Sequence, residues 1–193
     1  MIMTGRGIIR GLRFGLVLWG LTFPIWGIGD GSEGNDADGP YWLYFNGSKI
    51  DWYRGEIGDK SVLMHTYPGL SGKPNKQGSK YTGIRRKGPI PEGTYFINNQ
   101  NTGKAKRASK RRLAPGDGIQ EVTGKFFIAL WGKYRARLWP DKGTDTKGRS
   151  NFYLHTSKKG HTSGCIETRG DESVFQDLKD SNVKQIKMVV KYD

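Results

Sequence analysis

The residues that could do chemistry crowd into one short segment. His155, His161 and the only cysteine, Cys165, fall within eleven residues. A thiol attacks as thiolate, and its free pKa of about 8.5 leaves little anion at neutral pH, so a nearby imidazole is needed to take the proton. Gly164, just before Cys165, lets the chain bend sharply and turn backbone N–H groups toward the oxygen of a tetrahedral intermediate. Ser163 is small enough to leave room for that approach. Each residue also has a plainer reading. Cys165 could be a buried inert thiol or half of an intermolecular bridge, since one cysteine excludes an internal disulfide. His155 could merely cap a strand end, and His161 could be a solvated loop side chain. A zinc site from these three would need a fourth ligand or water at a spacing that matches no common zinc pattern, so no metal or other cofactor is expected.

For His155 and Cys165 to meet, a base at the end of one strand must face a thiol delivered by the next loop. Residues 151–155 read as a short aromatic strand and 156–164 as that loop. Upstream, 41–45 and 49–53 are aromatic-rich and flank Asn46-Gly47-Ser48, a hairpin signal because Asn and Gly tolerate positive φ. A short apolar run, 62–64, precedes His65, which reads as structural or as part of a cleft wall, and the polar stretch 68–80 reads as loop. Gly88-Pro89-Ile90-Pro91-Glu92-Gly93 looks like a rigid lead into an edge strand, 94–98. Segments 125–131 and 134–139 both read as strands, joined by a turn at Gly132-Lys133. Trp131, Tyr134 and Trp139 fit the core, or the lining of a glycan-facing groove. Near the end, Asp171 can cap a helix whose Val174, Phe175 and Leu178 share one face, and 184–192 closes as a strand. No internal repeat is visible.

Composition agrees with a turn-rich, mainly β domain. The chain has 193 residues with 29 glycines and 8 prolines, enough for one domain and little more. Lys and Arg total 32 against 18 Asp and Glu, a formal net charge of +14, which favours an extended anionic partner. A bacterial wall meets that description as well as nucleic acid does. The run Lys104, Lys106, Arg107, Lys110, Arg111, Arg112 forms no recognisable nucleic-acid-reading motif and reads as a solvated loop, or as a docking patch for the wall or an acidic partner. Nucleic acid is not expected as a partner.

Arg6, Arg10 and Arg13 precede a largely apolar run, 14–29, in the order of an export signal. The run is shorter than the roughly 20 residues that usually span a bilayer. Residues 1–29 are therefore expected to be a signal peptide or membrane anchor, with membrane association through 14–29. Residues 30–40 read as a flexible linker and 41–193 as the catalytic domain.

Ser163-Gly164-Cys165-Ile166, with the strand-end His155, resembles the signature of the L,D-transpeptidase (YkuD-like) catalytic domain, and Gly88 to Tyr95 is similar to the segment that opens a core strand there. The ten-residue step from His155 to Cys165 is similar to that of type VI secretion effectors that attack a rival's peptidoglycan. The resemblance implies a β-sandwich or barrel with one or two short helices, in which Cys165 attacks the diamino-acid carbonyl of a tetrapeptide stem and releases terminal D-alanine. Cys165 is left as a thioester that water hydrolyses, a free D-amino acid exchanges or a second stem cross-links. His155 would move the protons. By the same resemblance the Thr156 carbonyl orients the imidazole, and N–H groups around Ser163, Gly164 and Cys165 form the oxyanion hole. Arg149, Ser150, His161 and Arg169 would contact the peptide, an arginine pairing with its terminal carboxylate. Glu167 and Ser163 depart from the wall cross-linking pattern, which has Arg or Asn and His at those places. The resemblance implies action in the periplasm or cell envelope, on peptidoglycan stem peptides, with an immunity protein as the natural partner of an effector. A resident cross-linking enzyme and a non-catalytic peptidoglycan-binding module are the competing readings.

Overall fold

The computed structural model describes residues 40–58 and 60–193. The expected leader, and the linker apart from Pro40, lie outside the described residues.

The opening hairpin forms where Asn and Gly allow it. β1 (Tyr41–Phe45) and β2 (Lys49–Arg54) pair antiparallel about Gly47, whose φ is 104°. Asn46 Oδ1 accepts the N–H groups of Ser48 and Lys49, each at 3.0 Å. β3 (Val62–Pro68) extends the short apolar run and pairs with β2 through a bulge. Only Gly69 then separates it from β4 (Leu70–Ser71), so the stretch expected to be all loop contains a strand, and a 3-10 turn follows at Ser79–Tyr81.

The remaining elements run in order. β5 (Gly93–Asn98), β6 (Gly103–Lys104), β7 (Arg107–Ser109), β8 (Arg112–Leu113) and β9 (Ile119–Glu121) precede α1 (Lys125–Trp131). Then come β10 (Tyr134–Pro140), β11 (Phe152–His155), β12 (Ile166–Glu167), α2 (Ser173–Asp180) and β13 (Gln185–Val190). The protein is mainly β, with an eleven-stranded, barrel-like sheet and two short α-helices among the described residues.

The main sheet follows the order β3-β2-β1-β13-β5-β10-β11-β12-β4, with β9 added beside β10 and β6 beside β9. Its two ends, β3 and β4, are one chain stretch bent at Gly69, and that bend nearly closes the sheet on itself. A Cβ at Gly69 would stand 3.0 Å from both Ile50 and Phe45, so glycine lets the bend lie tight on the core.

Strand alternation fills the interior. Leu43, Phe45, Ile97, Leu138, Leu154, Ile166, Ile186 and Met188 belong to one buried cluster. The apolar face of α2 joins it through Val174, Phe175 and Leu178, and burying each such side chain contributes about 1.5–3 kcal/mol. Asp171 acts near the predicted place: its Oδ1 accepts the N–H of Ser173 at 2.9 Å, one residue ahead of the geometric cap Glu172.

Two further sequence expectations fail here. Segment 125–131 is a helix, bounded by Gly124 and Gly132 with φ of 87° and 74°, because a short apolar run carries no period that separates helix from strand. β5 is no edge strand: it is hydrogen-bonded to both β13 and β10. The two prolines precede the strand and remove no donor from its ladder.

Candidate active site

β11 and β12 lie side by side and parallel, with Leu154 opposite Ile166 and His155 opposite Glu167. Alternation turns Phe152, Leu154 and Ile166 into the core. It turns Tyr153, His155 and Cys165 to the outer face. All four residues of β11 are nevertheless buried, with Trp131 and Arg135 packed on that outer face. Trp131, at the end of α1, meets the rings of Tyr153 and His155 edge-on at 5.2 and 5.4 Å. Gly132 seats this end: a side chain there would collide with the carbonyl of Thr156.

Thr156 is in turn fastened to β10. Its N–H donates to the Tyr134 carbonyl at 3.1 Å, and its Oγ1 accepts the Tyr134 N–H at 3.0 Å. The imidazole of His155 makes its backbone contacts elsewhere, with Trp131 and with the Ser157 N–H, 3.4 Å from Nδ1.

A hollow of about 290 Å³ opens over this face. His155, Cys165, Ser163, Thr162 and Trp131 line it, and Arg111, Arg112 and Lys159 supply its charge. His155 is 2% exposed and Cys165 half-buried. No hydrogen bond joins the sulfur to the imidazole. Sγ lies 4.0 Å from the Asn151 carbonyl and receives a backbone hydrogen bond from Tyr153.

Both groups are pushed toward their neutral forms. Burial lowers the imidazole to about 3, and the charges of Lys159 and Arg135 push the same way against the Trp131 backbone bond. Burial pushes the Cys165 thiol up to about 11, against the Tyr153 hydrogen bond and the charges of Lys159, Arg135 and Arg149. Both shifts favour thiol and imidazole over a thiolate–imidazolium pair.

The loop that delivers Cys165 is held by three side chains. Thr162 Oγ1 donates to the Cys165 carbonyl at 2.6 Å and accepts the N–H groups of Gly72 and Gly164 at 3.0 and 3.3 Å. Gly164's N–H, expected to face an oxyanion, is thus engaged within the loop. Glu167 is fully buried, and its carboxylate accepts the Ser157 hydroxyl and the Gly160 N–H, the latter at 2.7 Å. Arg149 is 8% exposed and donates to the carbonyls of Thr82, Pro89, Gly88 and Ser163. It ties the Gly-Pro-Ile-Pro segment to the cysteine loop instead of facing the hollow.

The other predicted contact residues lie apart from the cavity wall. Ser150 and Arg169 are exposed, and His161 is half-buried with Nδ1 3.1 Å from Lys73 Nζ. His65 pairs with Asp177 at 2.7 Å, joining β3 to α2. Tyr134 stacks on Phe175 at 5.7 Å, and Trp139 carries Arg137 over its ring at 3.7 Å.

Sequence reasoning missed Arg135, Arg111 and Arg112. Arg135 sits opposite His155 on β10, 1% exposed, its guanidinium between the rings of Trp131 and Tyr153 at 4.8 and 4.9 Å. Its signal was available, since Tyr134-Arg135-Ala136 alternates with an inward alanine. Arg111 and Arg112 were hidden inside a basic run that reads as solvated. Among the described residues no group of three or more His, Cys, Asp or Glu side chains is placed to hold a metal ion.

Fold and cavity together define a barrel-like, mainly β protein whose sole thiol and a buried histidine open on one cationic hollow. The chain matches the Tlde1 domain over residues 64–192 and belongs to that family, a family of type VI secretion effectors. No curated protein matches the chain. Among solved structures it is similar to Bdellovibrio bacteriovorus Bd1075, at 16% identity and a TM-score of 0.46, covering 82% of this chain and 50% of that one. The chain thus spans half the length of that structure.

Proposed function

We infer that this effector cleaves the L,D bond of peptidoglycan tetrapeptide stems. The observation that carries the reading is the shared hollow: Cys165 and His155 line the same cavity, and its charged wall residues are all cations. Such a wall suits a peptide rich in carboxylates.

The chemistry follows from the neutral pair. As a stem enters, His155 takes the Cys165 proton while sulfur attacks the diamino-acid carbonyl, so no thiolate has to exist beforehand. The tetrahedral oxyanion is stabilised by the Cys165 N–H and the surrounding positive charge. Its collapse breaks the C–N bond, and the imidazolium returns its proton to the departing D-alanine amine. The thioester then accepts water, with His155 as base, to give a tripeptide, or a free D-amino acid to give exchange. Arg135, opposite His155, favours the anionic sulfur and disfavours a lasting imidazolium. Effector membership supports delivery into the periplasm of a target cell, with an immunity protein guarding the producer.

The deciding experiment incubates the folded domain with disaccharide tetrapeptide, with and without a D-amino acid, and weighs the products. Tripeptide shows hydrolysis and a mass swap shows exchange. Cys165→Ala should abolish both. A folded wild type that yields neither product sinks the reading.

A further inference from the structure

The hollow over Cys165 has Arg111, Arg112 and Lys159 in its wall and no carboxylate. Among the described residues the ion pairs are Lys49–Asp51, His65–Asp177, Lys133–Glu172 and Lys147–Asp145, so none neutralises these three cations. Like charges gathered around one cavity repel one another, and an anionic guest relieves that repulsion.

Two of the three come from a single built element. β7 and β8 form a hairpin outside the main sheet, with Arg111 in its turn and Arg112 opening β8. The hairpin is anchored from below. Leu113, 6% exposed, packs with Val122 and Phe127 in a second small core, where Trp131 also leans. The Arg107 guanidinium lies 5.3 Å over the Phe127 ring. The Ala114 carbonyl, just beyond β8, accepts Nη2 of Arg135 at 2.5 Å, and the Ala114 N–H donates to the Lys106 carbonyl at 2.8 Å. A purely solvated basic loop would need none of this packing. The arginines themselves remain exposed above it.

A guanidinium matches a carboxylate with two parallel hydrogen bonds, and an amide of the same shape offers neither the charge nor the second acceptor. A tetrapeptide stem presents carboxylates on both sides of its L,D bond: on the departing D-alanine, on the diamino acid and on the γ-linked glutamate before it. We propose that the β7–β8 hairpin is a selectivity clamp, in which Arg111 and Arg112, with Lys159, admit stems whose carboxylates are free and discriminate against stems in which they are amidated. The identity of the ligand rests on the proposed L,D chemistry, but the clamp itself does not require turnover.

Calorimetry on Cys165→Ala protein, which cannot form a thioester, separates the two. The probes are disaccharide tetrapeptides with the D-alanine, diamino-acid and glutamate carboxylates all free and with all three amidated. The free form should bind about tenfold more tightly or better. Adding Arg111→Gln and Arg112→Gln should remove most of that preference while barely changing affinity for the amidated form. Arg111→Lys with Arg112→Lys, which keeps the charge but loses the fork, should restore only part. Circular dichroism checks that each variant folds. Equal affinity for the two probes, or equal loss on both in the glutamine variant, overturns the clamp. Wild-type protein that discriminates in binding yet converts neither probe would refute the catalytic reading and leave the clamp standing.

Discussion

The guanidinium of Arg149 lies directly beneath Gly164, so close that a Cβ at 164 would overlap Nη2. Gly164 also holds a φ of 112°, which L side chains rarely adopt. Gly164→Ala should therefore lose about 2 kcal/mol or more of stability, together with most activity. Arg149→Met, which strips partners from four carbonyls, should cost about 3 kcal/mol. Urea unfolding checks both. A Gly164→Ala protein of wild-type stability would show that the cysteine loop is not seated on this arginine.

The neutral thiol makes a kinetic prediction. With Cys165 raised to about 11, its alkylation by iodoacetamide should climb nearly tenfold per pH unit between pH 7 and 10. A preformed ion pair would instead give a rate already flat below pH 7. Arg135→Gln removes a charge that stabilises the thiolate, so it should slow alkylation at every pH in that range. Mass spectrometry of the single cysteine reads the result directly.

His155 links folding to pH. Its folded value, about 3, lies below the ordinary 6.5, so between those values the unfolded chain binds the extra proton. Stability from this residue is intact above pH 6.5 and is lost as pH falls below it, at up to about 1.4 kcal/mol per unit. The urea midpoint of the wild type should drop from pH 7.5 to 4.5 by more than that of His155→Gln. Parallel curves for the two proteins would mean the imidazole is not buried as described.

Glu167 holds the loop between the histidine and the cysteine through Ser157 and Gly160. Glu167→Gln keeps one acceptor but turns an amide N–H toward a donor. It should cost about 1–3 kcal/mol and lower turnover about tenfold or more, with Ser157→Ala giving a smaller loss. Turnover unchanged in Glu167→Gln would remove this carboxylate from the positioning of Cys165.

Much of the site was legible because it is local. Strand-end His155, the 156–164 loop and the Gly164-Cys165 bend are encoded in contiguous residues, and the structure lays them out in that order. The hairpin at Gly47 and the apolar face of α2 were legible for the same reason. What stayed hidden depends on contacts remote in sequence. Helix α1 is too short to display a period, and the close seat of its terminal Gly132 on Thr156 is a contact remote in sequence. Arg149 looked like a ligand for substrate because its type suits carboxylates, yet the carbonyls it serves lie 60 or more residues away, apart from that of Ser163. Arg111 and Arg112 resembled any solvated run until Leu113 anchored their hairpin beside the cysteine.

The bend at Gly69 ties the cysteine loop to an early part of the domain. β4 zips onto β12, Ser71 against Ile166 and Leu70 against Glu167, and Cys165 stands one residue before that join. The two halves of this fastening are nearly a hundred positions apart along the chain, so joining them carries the closure entropy of a long loop. Under the proposed chemistry, the seam that steadies the thiol joins two stretches far apart in the chain, so a break in either would loosen the same spot.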